Sequence, residues 1–249
     1  MLQQQTLAGL SELKLPGMAK AFQQQLDNPD ATSLSFEVRL AQLIEAEQQE
    51  RTQRKQDRMM RDARLKHGSA CMEDIDYKAN RGLDRSYLST LANCEWIERH
   101  QFMLISGPTG VGKTWLACAF ACQAVRKGYS VLYKRFSQLV EELDIARRDG
   151  SLPKLRSQLA KAKLLVLDDW AMVPLTTGSL YELLELIDDR CGISSLLVTS
   201  QLPVSQWHEY IGEPTLADAI MDRIIHRAHR LELHGESMRK LYRAVKEDT

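Results

Sequence analysis

The residues that could do chemistry begin with Gly107-Pro108-Thr109-Gly110-Val111-Gly112-Lys113-Thr114, followed at once by Trp115. Further on, an apolar run, Leu164-Leu165-Val166-Leu167, ends in two carboxylates, Asp168 and Asp169. This set suits phosphoryl chemistry. The glycines let backbone N–H groups wrap closely around an anion. Lys113 would reach terminal phosphates, Thr114 and Asp168 would hold Mg²⁺, and Asp169 would polarise an attacking water. An apolar strand ending in carboxylates is costly unless they meet a cation. Its alternative reading is a strand that simply caps the next helix. Ser200 or Gln201, beyond a later apolar run, could orient the water; the sequence does not choose between them.

The elements around these residues must place them at one edge of a sheet. Phe102-Met103-Leu104-Ile105 reads as a strand before the glycine loop, and Trp115 to about Lys127 as the helix after it, stopped by Gly128. That helix adds its positive end to the loop's field. Cys118 and Cys122, on the same helix, read as small buried residues rather than metal ligands. Val131–Tyr133, Ser195–Thr199 and Leu231–Leu233 are the remaining strands, alternating with helices over 136–148, 152–160, 177–190, 203–210 and 215–228. Such alternation predicts an α/β fold with a mostly parallel five-stranded sheet covered on both faces.

The part before the core reads as helical. Apolar positions from Leu7 to Leu26 predict two short helices around Leu15-Pro16-Gly17. Thr32 or Ser33 would cap a longer helix with Phe36, Leu40, Leu43 and Ile44 on its inner face. That helix runs into a basic segment: from Arg51 to Lys66 seven bases face two acids. Arg51, Arg54, Arg58 and Arg61 share one helical stripe, with Lys55 and Arg64 beside it. A row of this kind can track nucleic-acid phosphates; a solvated helix face is the competing reading. The expected division is a helical domain over 1–67, a connector over 68–86 and the nucleotide domain over 87–249. The helix over 87–100 carries the chain into the first strand.

With 249 residues the chain can form one full domain and an appendage, and 33 basic against 33 acidic residues leave net charge silent about partners. Five cysteines without framework spacing argue against a disulfide scaffold. No apolar signal core or membrane span is visible, so a soluble protein is expected.

Taken together, the loop, the Asp-Asp strand tip and a late arginine resemble an AAA+ ATPase of the initiator and helicase-loader branch. Leu15-Pro16-Gly17-Met18, Asn80-Arg81-Gly82-Leu83-Asp84, Leu167-Asp168-Asp169-Trp170 and Gly235-Glu236-Ser237-Met238-Arg239 narrow the resemblance to IstB-type insertion-sequence helper ATPases. It covers almost the whole chain. It implies a P-loop AAA+ core with the helical lid reduced or absent, since Leu233–Thr249 is short for one. ATP and Mg²⁺ are the implied cofactors. Double-stranded DNA, a transposase and further copies of the chain are the implied partners, in a bacterial cytoplasm. On the family pattern Arg223 completes a neighbouring subunit's ATP site, with Arg227 and Arg230 as competitors, and Arg239 contacts phosphates within its own subunit. A replicative helicase loader, of the DnaC and DnaI kind, is the alternative reading. A small-molecule P-loop kinase fits less well, because no substrate-binding insertion or mobile lid is visible.

Overall fold

The computed structural model describes residues 2–238, so the expected Arg239 site lies outside the described residues. The chain divides into two compact units, Met1–Arg58 and Met59–Thr249.

The first unit is helical: α1 (Leu2–Glu12), α2 (Pro16–Asp27) and the start of α3 (Phe36–Ala63). Pro16 sits in the first turn of α2, where its missing N–H costs nothing. The Gly17 and Met18 N–H groups donate to the buried Glu47 carboxylate of α3 at 2.8 and 3.2 Å. A carboxylate at a helix N-terminus is favoured by the helix dipole. A Cβ at Gly17 would lie 2.5 Å from the Ala46 carbonyl oxygen, so only glycine permits this approach. The Leu15–Met18 motif is thus a helix-crossing device.

Two expectations for α3 change. Residues 29–33 form a 3₁₀ turn, and the Val38 N–H bonds to the Ser35 hydroxyl at 3.4 Å, so capping falls to Ser35. The face carrying Phe36, Leu40 and Ile44 is exposed rather than inner. The face that meets α2 is the one with Arg39, Gln42, Ala46 and Glu47, where a small residue and hydrogen-bonding groups admit the close crossing.

The second unit carries α4 (Arg85–Ala92), α5 (Glu95–Glu98), β1 (Phe102–Ser106), α6 (Lys113–Arg126), β2 (Val131–Arg135), α7 (Phe136–Asp149), α8 (Leu152–Ala160), β3 (Leu164–Trp170), α9 (Thr177–Arg190), β4 (Ser195–Ser200), α10 (Trp207–Ile211), α11 (Pro214–Ile225) and β5 (Ala228–Glu232). The helix expected over 87–100 is two, because Cys94 adopts a left-handed conformation with φ +64°. The last strand starts at Ala228, earlier than expected, because the preceding helix stops at Ile225.

All strands are parallel, in the order β2-β3-β4-β1-β5. Alternation within each strand feeds two cores. Met103, Ile105, Val131, Tyr133, Leu164, Val166 and Leu197 pack with α6, including the buried Cys118. Phe102, Leu104, Leu132, Leu165, Leu167 and Val198 pack with α7, α9 and α11. Each fully buried leucine contributes about 2 kcal/mol to holding this frame. A parallel sheet gathers the loops after β1, β3 and β4 at one edge, where ligands of open α/β sheets bind. No described helix is long and apolar enough to cross a membrane.

Candidate functional site

The loop after β1 can turn so tightly because its glycines take conformations other residues avoid. Gly107, Gly110 and Gly112 have φ of +145°, +89° and +96°. A Cβ at Gly107 would stand 2.2 Å from the Leu233 carbonyl oxygen, and one at Gly110 would stand 2.3 Å from the Ser237 hydroxyl. The glycines therefore serve both the turn and the close approach of the segment after β5.

Lys113 opens α6 and is mostly buried; its ammonium donates to the Gly107 and Pro108 carbonyls, at 2.8 Å each. Burial pulls its pKa below the ordinary lysine value, and the Asp169 and Asp168 charges partly restore it. A lysine whose present partners are only carbonyls of the phosphate loop is poised for an anion. Lys113→Ala is expected to weaken ATP binding by about 10- to 100-fold, the worth of a hydrogen bond to a charged group. Titration with ATP on the folded variant checks this, and unchanged affinity would remove the assignment.

Asp168 is fully buried at the end of β3 and is held from three sides. Thr114 donates to its Oδ1 at 2.8 Å, Thr199 to the same oxygen at 2.6 Å, and Tyr133 to Oδ2 at 2.7 Å. Burial and the hydrogen bond to Asp168 raise the Tyr133 pKa, which keeps the phenol a donor. A hydroxyl and a carboxylate meeting this way are hard oxygen donors of the sort Mg²⁺ takes, with water and phosphates completing its shell. Among the described residues no cluster of three or more acidic, His or Cys side chains could hold a metal alone.

Asp169 follows with φ +61°, and Ala171 with φ +66°. This is where the β3–β4 register slips, between Leu167 and Trp170. The kink turns Asp169 away from the strand's alternation and into a cavity of ≈ 330 Å³ that also takes in Thr109, Gly110, Gly112, Lys113, Thr114, Trp115 and Gln201. The Asp169 N–H donates to the Thr199 hydroxyl at 3.0 Å. Thr199 therefore links both strand-tip acids. Of the two expected water-orienting residues, Ser200 turns its hydroxyl to the backbone of Leu202, at 2.9 and 3.0 Å. Gln201 accepts from the Thr109 hydroxyl and lines the cavity.

Residues 8–245 match the family described as IstB-like ATP binding protein. The chain belongs to that family. It is similar to the insertion sequence ATP-binding protein y4pL of Sinorhizobium fredii, with 46% identity over 96% of this chain and 98% of the relative. Similarity to the IS21 ATP-binding protein of Pseudomonas aeruginosa is 30%, over 92% and 86% of the two chains. Among solved structures DnaI superposes with a TM-score of 0.57 at 21% identity, over 66% of this chain and 91% of that one. At that identity the likeness shows the shared α/β P-loop AAA+ fold.

Outside the cavity the IstB-like chain places its other candidates as follows. Arg223, on α11, donates from Nε to Asp188 at 2.6 Å and from Nη1 to the Ala219 carbonyl at 3.0 Å. It does not line the cavity. Arg227 immediately precedes β5, its carbonyl accepting from the Phe102 N–H at the start of β1, at the opposite sheet edge, and Arg230 is on β5. In the basic segment Arg51, Arg54, Lys55, Arg58, Arg61 and Arg64 are all exposed. Arg51 pairs with Glu47 at 2.8 Å and Arg54 with Glu50 at 2.7 Å. Counting from Arg51 omits these two acids, so the stripe is less lopsided than its sequence suggests.

Six cavity residues were not anticipated as site residues: Lys66, His67, Asp74, Asp76, Arg81 and Met238. Lys66 and His67 come from the end of the expected helical domain, Asp74, Asp76 and Arg81 from the stretch read as a connector and Met238 from the segment after β5, and all pack as part of the second unit. Thr199 and Tyr133 were also missed. A hydroxyl closing the apolar run Leu196-Leu197-Val198 is a readable signal for Thr199. Tyr133 reaches Asp168 only through β2–β3 pairing.

Proposed function

We propose that this IstB-like protein is a Mg²⁺-dependent ATPase that assembles on duplex DNA and recruits the transposase of an insertion sequence. The observation that carries the enzymatic half is the convergence of Lys113, the Thr114–Asp168 pair and Asp169 at one cavity. Loop amides and Lys113 bind the triphosphate, Thr114 and Asp168 hold the metal, and Asp169 takes up the proton of the attacking water. Mg²⁺, when bound, neutralises charge on the phosphate oxygens. Relatives spanning the whole chain that are named for insertion sequences support the transposition half.

Assembly is the part of this reading that would bring a second arginine to the cavity. Among the described residues, no arginine outside the connector stretch lines it. Arg223 is proposed to complete the site of a neighbouring copy, where a guanidinium offsets charge developing on the transferred phosphoryl group. The exposed bases of 51–64 are proposed to follow DNA phosphates, and Lys55, Arg58, Arg61 and Arg64 have no acid partner within ion-pair distance among the described residues.

Duplex-DNA binding measured with ATP, ADP and no nucleotide over a salt series, with particle size in parallel, tests this reading. The expected result is ATP-dependent binding that coincides with large particles. Affinity should fall with salt at a log–log slope of about −0.9 per phosphate neutralised. Absence of duplex binding under every nucleotide would return the stripe to a solvated face and leave the helicase-loader reading ahead.

A further inference from the structure

Asn80-Arg81-Gly82 belongs to the expected connector, yet it is built into the phosphate loop. Arg81 is 5% exposed. Its guanidinium donates from Nη2 to the Asp76 carbonyl at 2.7 Å and from Nη1 to the Val111 carbonyl at 3.3 Å, and Nε has no partner among the described residues. Both acceptors are backbone oxygens, and no described carboxylate pairs with the guanidinium at ion-pair distance. A Cβ at Gly112 would stand 3.1 Å from Nη1, so the glycine next to Lys113 is what admits the guanidinium. The Arg81 backbone is fixed too: its carbonyl accepts from the His234 N–H at 3.1 Å. A Cβ at Gly235 would lie 2.7 Å from the Asn80 carbonyl oxygen. Connector, phosphate loop and the segment after β5 thus interlock around one side chain.

We propose that Arg81 is a positioning residue that pre-sets the phosphate loop for a triphosphate. In a planar trans peptide the C=O and the following N–H point in opposite directions. Holding the Val111 carbonyl on the guanidinium therefore fixes where the Gly112 N–H points, in a loop whose function is to aim such groups at phosphate. The same guanidinium adds a positive charge beside the loop, on the side a ligand's phosphates would occupy. Arg190 is the internal contrast. It is equally buried without an acid, but it bonds three carbonyls, of Leu159, Ala162 and Ser195, and lies outside the cavity. Arg190 holds structure; Arg81 holds the site.

This inference rests on the nucleotide reading above, and its test separates the two. Wild type, Arg81→Met, Arg81→Lys and Arg190→Met are titrated with ATP, inorganic triphosphate and adenosine, and melted without ligand. For Arg81→Met the expected loss is about 10- to 100-fold for both ATP and triphosphate, with adenosine unchanged. Arg81→Lys should recover only part of it, because an ammonium donates from one atom and does not reproduce the spread of the two guanidinium nitrogens that reach the Asp76 and Val111 carbonyls. Arg190→Met should lower Tm and leave the affinities of the folded protein alone. An Arg81→Met protein that melts lower but binds triphosphate like wild type overturns the proposal, as does an equal loss of adenosine. Should Arg81→Met not fold, wild-type triphosphate affinity in Arg81→Lys overturns it instead. Wild type that binds neither ATP nor triphosphate overturns the ATPase reading itself.

Discussion

Asp169→Asn is expected to bind ATP as wild type does and to hydrolyse it about 10²- to 10⁴-fold more slowly, the contribution of a positioned general base. The substitution is clean for a backbone reason. Asp169 has φ +61°, a region that asparagine and aspartate tolerate better than other side-chain-bearing residues. Its N–H bond to Thr199 at 3.0 Å does not involve the carboxylate and survives. Only the charge and the proton-accepting oxygen are lost. ATP titration and single-turnover hydrolysis on one preparation measure the two effects separately. Retained turnover would take the water-polarising role from Asp169. The same left-handed backbone gives a physical reason for aspartate here: the conformation that turns the acid into the cavity favours a short polar side chain.

The parts of this site that the sequence disclosed are the local ones. A glycine loop between an apolar strand and a helix, and an apolar run closed by two acids, each put their meaning within a few residues of one another. Periodicity placed the strands, and the parallel order followed from their alternation with helices. What stayed hidden depends on elements distant in sequence. Arg81 reads as an ordinary connector base until Gly112, Val111 and His234 are seen against it. Tyr133 reads as a core aromatic until β2 pairs with β3. The exposed Phe36–Leu40–Ile44 face shows the limit of helical periodicity. A pattern gives the apolar stripe but not its neighbour, and α2 chose the face where Gly17 can touch Ala46.

Arg223→Ala is expected to keep ATP binding and lose about 10³- to 10⁵-fold in assembled turnover, the effect of removing an arginine that stabilises phosphoryl transfer from a neighbour. In the single chain this side chain is occupied elsewhere. Its hydrogen bond to Asp188 raises its pKa, so it carries its charge, but the pair is only partly buried, with side chains 32% and 58% exposed. Exposed pairs of this kind contribute about 0–1 kcal/mol, so exchanging Asp188 for a neighbour's phosphates costs little. On the proposed assembly, the arrangement would hold the arginine at low cost until a second copy arrives. Mixing decides whether it acts across the interface. In a head-to-tail ring, equimolar Arg223→Ala and Lys113→Ala subunits place a live phosphate loop beside an intact arginine at about a quarter of the interfaces. Each variant alone lacks such interfaces, so the mixture should hydrolyse ATP well above the sum of the two. A mixture that never exceeds that sum would assign Arg223 to its own subunit or to no catalytic role, and the assembly reading would lose its chemical basis.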